Sequence, residues 1–157
     1  MSSLELVQSE TNRDKYGGLD LKIASTIVAK RIDWLWPKMI AKGKFQVFAG
    51  DSGIGKTQIN LNIAATISRG GTFPGQDDAC EQGKVLYLTG EDDPSDTIVP
   101  RLMACDANQD NVTVLGPLMA DGSLFSLQRH LDTVRNIINE DGDYKLFIID
   151  PVTAFCG

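Results

Sequence analysis

The sequence has no apolar run approaching the roughly 18 to 20 residues that cross a bilayer, and Met1 to Asp20 holds no signal-type apolar core. A cytoplasmic protein with no membrane association is therefore expected. Metal ligands are equally scarce, with one histidine, His130, and three cysteines, Cys80, Cys105 and Cys156, none at C-x-x-C spacing. A zinc site lacks its ligands, an odd thiol count leaves at least one unpaired, and reduced intracellular thiols are the expectation. Positive charge is short as well, 15 Lys and Arg against 21 Asp and Glu for a net charge of -6. That balance is a poor footing for coating nucleic acid by charge alone, so such a partner is to be met locally or through sequence outside this chain. Internal repeats and low-complexity segments are also missing.

What is there is enough for one globular domain and hardly for two, 157 residues of which 42% are hydrophobic. At that length a core forms without a metal or disulfides. Met1 to Gly18 is polar, lacks a hydrophobic period and ends in Gly17-Gly18, which predicts a flexible tail before a domain spanning 19–157. Leu19 to Val28 alternates loosely and suggests a strand. In Trp34-Leu35-Trp36-Pro37, core packing of the two rings is favoured over direct ligand contact.

From Phe45 onward the pattern is regular. Apolar Phe45 to Ala49 leads into a glycine-rich turn, and Lys56 to Ser68 carries Ile59, Ile63, Ala64 and Ile67 at helical spacing before Gly70-Gly71 ends it. Thr72 to Gly83 reads as a loop with Asp77-Asp78 at its solvated tip, and Val85 to Leu88 as a buried strand. Pro94, with acidic neighbours, suits the first turn of a second helix, which Pro100 kinks or splits. Met103 and Cys105 are expected in the core. Val112 to Leu115 is a further strand, and Ser126 to Asn139 a helix with Leu127, Leu131, Val134 and Ile138 on one face, closed by Asp141-Gly142-Asp143. Leu146 to Ile149 is a continuous apolar run delivering Asp150. Strands apolar throughout and alternating with helices predict an α/β fold, a mainly parallel sheet covered by helices on both faces.

Gly50-Asp51-Ser52-Gly53-Ile54-Gly55-Lys56-Thr57 matches G-x-x-x-x-G-K-Ser/Thr between a predicted strand and helix. The glycines let backbone amides wrap a polyphosphate, the helix N-terminus points its positive end at it, Lys56 reaches the terminal phosphates, and the Thr57 hydroxyl suits magnesium. Gln58, next in line, joins the nucleotide-binding set. Mg²⁺ needs a further hard oxygen at the end of a neighbouring buried strand, and Asp150 fits. Hydrolysis also needs a carboxylate to orient or deprotonate water. Glu91, directly after the Val85 to Gly90 strand, suits that role, while favourable charge at a helix N-terminus explains it equally well. His130 has no companion at ligand spacing and is read as structural.

Together Trp34-Leu35-Trp36-Pro37, Gly43-Lys44, the loop Gly50 to Thr57, Leu88-Thr89-Gly90-Glu91-Asp92 with Arg101 ten residues after the glutamate, and Leu146 to Pro151 resemble the RecA-like P-loop ATPases of the RepA replicative-helicase type. The resemblance covers about Leu19 to Gly157. It implies a RecA-like fold and a hexameric motor that binds ATP and Mg²⁺ between subunits and moves along single-stranded DNA in replication, often beside a primase. It also implies that Lys56 and Thr57 hold phosphate and magnesium, that Glu91 activates water, that Asp150 orients the magnesium shell, and that Arg101 stacks on adenine. Pro100 just before Arg101 departs from the pattern. The family's sensor residue, DNA loops, arginine finger and the strand between the phosphate-loop and aspartate strands would follow Gly157, so the resemblance implies a C-terminally truncated domain, slow or inactive alone. Three alternatives share the phosphate loop: a RecA/RadA-type recombination or repair ATPase, a small-molecule kinase, for whose arginine-rich lid Leu115 to Leu131 offers only Arg129, and a nucleotide-dependent switch.

Overall fold

The structure is a computed structural model and describes residues 21–155. Chain contacts divide it into two units, Met1–Ile32 and Asp33–Gly157. The expected flexible tail at 1–18 and Cys156 lie outside the described residues. In the first unit, residues 21–32 are exposed and form a 3₁₀ turn, Ala24–Thr26, rather than the expected strand. The amide and hydroxyl of Thr26 both donate to the Ile23 carbonyl, at 2.9 and 2.8 Å, and this local bonding replaces a ladder.

The second unit opens with a hairpin absent from the sequence expectation. β1 (Trp34–Trp36) pairs antiparallel with β2 (Ile40–Ala41). Pro37 and Lys38 make the turn, Lys38 at φ 65° and the Met39 amide bonded to the Trp36 carbonyl at 2.9 Å, as a type II turn requires. Leu35 and Ile40 are buried, and Trp36 stacks on Phe73 with centroids 4.5 Å apart, so this Trp packs as expected, whereas Trp34 is exposed.

The main sheet has the order β4-β3-β5, all parallel, from β3 (Lys84–Thr89), β4 (Val112–Leu115) and β5 (Tyr144–Asp150). Parallel neighbours need crossovers. The one between β4 and β5 carries the longest helix, Leu127–Asp141, which starts at Ser126 and ends at Gly142 with φ 70°. The helix α1 (Lys56–Arg69) precedes β3 and ends at Gly70 in the left-handed region, as the paired glycines predict. Counting along the chain, the short helix Val99–Ala104 is α2 and Leu127–Asp141 is α3.

Alternate residues of β3 feed two cores. Val85 and Tyr87 join Ile63, Ala64 and Ile67 of α1, with Ile98, Leu102 and Ile148. Leu86 and Leu88 join Phe125, Val134 and Phe155 on the other face. Burying each such Leu or Ile contributes roughly 1.5–3 kcal/mol before entropy, so β3 anchors the domain. The expected helical stripes are only partly covered, because Ile59 and Leu131 are 48% exposed.

Two further expectations are corrected. Phe45 to Ala49 takes no regular structure and enters no ladder among the described residues, with Phe45 80% and Val47 64% exposed. A strand exists only through its partner, and among the described residues β5 bonds only to β3. Met103, expected in the core, is 60% exposed, and Cys105 is half-buried. The proline expectations hold: Pro94 follows the cap Asp93, and a π-helical segment, Pro94–Ile98, runs into α2. Pro100 has no amide to continue an α-helical ladder, and the preceding turn widens instead.

Candidate functional site

Two walls face one another across a cleft of about 930 Å³. One is made by 44–50 and the phosphate loop; the other by 146–153, the end of β5 and the turn after it. Lys56, Thr57, Gln58, Glu91, Arg101 and Asp150 all line it. The residues singled out from the sequence thus converge although they come from four separate stretches of chain.

The phosphate loop is built by conformations that glycine tolerates. Gly53 and Gly55 take φ 80° and 90°, and a Cβ on Gly50 would run into the Ile54 side chain. The first turn of α1 carries no acidic residue to compete for its amides, so its positive end is available to an anion. The Lys56 ammonium donates to the carbonyls of Gly50 at 2.8 Å and Asp51 at 2.7 Å, tying the loop's start to its end. An ammonium has three donors, which leaves one for a phosphate oxygen without dismantling the loop. Gln58 is exposed and its amide donates to the Cys105 thiol at 3.3 Å, a bridge from α1 to the end of α2 that the sequence did not suggest.

The opposite wall rests on the sheet. Thr89 of β3 pairs with Asp150 of β5, and the Gly90 amide donates to the Asp150 carbonyl at 3.0 Å. Buried Thr89 closes the next turn by donating its hydroxyl to the Asp92 carbonyl at 2.9 Å, which places exposed Glu91 at the cleft. A Cβ on Gly90 would sit 2.6 Å from the Ala154 methyl and 2.9 Å from the Phe155 ring, so this glycine is required by close packing. The helix-terminus reading of the acidic run belongs to Asp93, whose carboxylate accepts from the Ser95 hydroxyl and from the Ser95 and Asp96 amides; the hydroxyl first, then the amides, hold its pKa below the usual carboxylate range. Glu91 caps nothing among the described residues.

Arg101, on α2, is exposed and lies 3.9 Å from the Asp92 carboxylate. His130 serves locally, its Nδ1 accepting the Ser126 amide at 3.0 Å. No group of three or more His, Cys, Asp or Glu among the described residues is arranged to hold a metal by itself. Thr57 and Asp150 supply the hydroxyl and carboxylate that suit Mg²⁺ shared with a phosphate, which needs only one or two protein oxygens.

Sequence reasoning missed Tyr87, whose hydroxyl donates to Asp150 Oδ2 at 2.7 Å. Burial first, then the Asp150 carboxylate, push the phenol pKa well up, so it stays a neutral donor. The available signal was a hydroxyl inside an otherwise apolar run, Val85-Leu86-Tyr87-Leu88, because a buried polar atom needs a partner.

A glycine-rich loop running into a helix N-terminus, facing a strand-terminal aspartate on a parallel sheet, defines a P-loop nucleotide-binding protein. The family comparison agrees. A model described as AAA domain matches residues 24–157, and the chain belongs to that family of nucleotide-binding ATPases. No curated protein and no solved structure matches the chain. No helix among the described residues is long and apolar enough to cross a membrane.

Proposed function

We propose that this chain is the ATP-binding and ATP-hydrolysing motor domain, RecA-like in fold, of a hexameric helicase that moves along single-stranded DNA during replication in the cytoplasm. The convergence of Lys56, Thr57, Glu91, Arg101 and Asp150 on one cleft carries this reading. Bound ATP would lie with its phosphates over the amides of 50–57, within reach of Lys56, and Mg²⁺ would be held by Thr57 with Asp150 beside it. The metal's contribution is to neutralise charge on the phosphates. Glu91 would orient and deprotonate the attacking water, and Arg101 would lie against the base.

The single-stranded DNA partner, the ring and a primase rest on the motif set of the sequence. The open cleft wall supports a domain completed by further polypeptide, since among the described residues Phe45 to Ala49 and the outer edge of β5 both lack a ladder. The test is steady-state ATP hydrolysis by the full-length protein with and without single-stranded DNA. Stimulation by DNA is expected; turnover indifferent to DNA would remove the helicase reading and leave the nucleotide site. Glu91→Gln should keep Mg·ATP binding and lose turnover at least a hundredfold, whereas Lys56→Ala should lose both. Turnover retained in Glu91→Gln would reduce the glutamate to a surface charge.

A further inference from the structure

Tyr87 sits at the centre of β3 with no exposed surface, opposite Ile148 of β5. Residues two apart on a strand share a face, so Asp150 is its diagonal neighbour on β5. The phenol spans that diagonal and ends on Oδ2 of the aspartate. No other buried hydroxyl in the sheet is aimed at a residue lining the cleft. Thr89, the one other buried polar side chain of β3, turns its hydroxyl to the Asp92 carbonyl instead.

We infer that Tyr87 is a positioning residue for the metal shell: its hydroxyl holds Asp150 Oδ2 and so sets the orientation in which this carboxylate meets Mg²⁺ bound with nucleotide. The inference rests on the nucleotide-site reading above and deepens it. Three observations favour a positioning role over simple core filling. First, the backbone of Asp150 is already held, through the ladder to Thr89 and the bond from Gly90, so the rotation of the carboxyl group is the freedom left to fix. Second, among the described residues Oδ1 has no hydrogen-bond partner, so the phenol orders the group while leaving one oxygen for a cation or its water. Third, a phenol donates without positive charge. An arginine or lysine in its place would orient the aspartate equally well but would also repel the cation.

Partners in the second layer around a metal typically govern affinity by 10–100-fold, and one neutral hydrogen bond belongs at the lower end. The test is binding of a fluorescent ADP analogue to the full-length protein, titrated with Mg²⁺ and repeated in EDTA. Tyr87→Phe keeps the ring and removes only the hydroxyl. The Mg²⁺ concentration giving half-maximal enhancement of binding should rise about tenfold, with affinity in EDTA unchanged. In an Asp150→Asn background the same change should have no further effect on the Mg²⁺ dependence. An unaltered Mg²⁺ titration in Tyr87→Phe would overturn the inference. Equal losses in Mg²⁺ and EDTA would overturn it too, by assigning Tyr87 to packing alone. Wild-type protein that binds the analogue in neither condition would overturn the nucleotide-site reading itself.

Discussion

The two walls of the cleft are made differently. The aspartate wall belongs to a parallel sheet in which Leu86, Tyr87 and Leu88 have no exposed surface and every residue of β3 from Val85 to Leu88 has a partner on both sides. The phosphate-loop wall is irregular, mostly exposed and without a ladder among the described residues up to Gly55, and regular structure resumes only at α1. Chemistry is thus divided between a fixed half, holding Asp150 and the root of Glu91, and a half whose shape depends on glycine conformations and one lysine. In the proposed site, the carboxylate sits where a two-sided ladder holds the backbone, and the loop that would wrap an anion sits where glycine conformations set the shape.

That contrast breaks most visibly under truncation. Leu86→Ala should cost about 2–5 kcal/mol of unfolding free energy in urea, whereas Val47→Ala should cost less than about 0.5 kcal/mol. Comparable losses would mean that Phe45 to Ala49 is packed in solution. Gly90→Ala tests the junction of the fixed wall and should cost about 1–3 kcal/mol, because Ala154 and Phe155 must retreat from the new methyl. Tyr87 sharpens the comparison through pH. Its folded pKa lies above the ordinary value of 10.0, so the folded state keeps a proton that the unfolded chain releases, and stability falls as pH rises past that point. Between pH 10 and 11 the wild type should lose about 1 kcal/mol more than Tyr87→Phe, measured by chemical denaturation at each pH.

Much of this was legible in the sequence. Apolar runs and glycine stops located all three strands of the main sheet and α1 and α3, because those signals are local. The positions of several cleft residues were readable for the same reason, Asp150 ending β5, Glu91 following β3, and Lys56 and Thr57 opening α1. Phe45 to Ala49 was misjudged because pairing is not a local property; its composition suits a strand, but none of the described strands lies beside it. The hairpin at Trp34 was missed because its strands have only three and two residues, too short for a period to show. Tyr87 was overlooked because reading a strand as uniformly apolar hides a hydroxyl whose partner is 63 residues away.

The bonds from Lys56 to the carbonyls of Gly50 and Asp51 have a mechanical meaning. They close the phosphate loop into a ring through the lysine side chain, which acts as its clasp, at the first turn of α1. On the proposed nucleotide site, a phosphate held by the loop, with Mg²⁺ beside Asp150, would act as a tie-bar between the two walls. Hydrogen exchange at 45–55 should slow markedly when the analogue and Mg²⁺ are added, while the amides of β3, locked in both conditions, should not register its arrival.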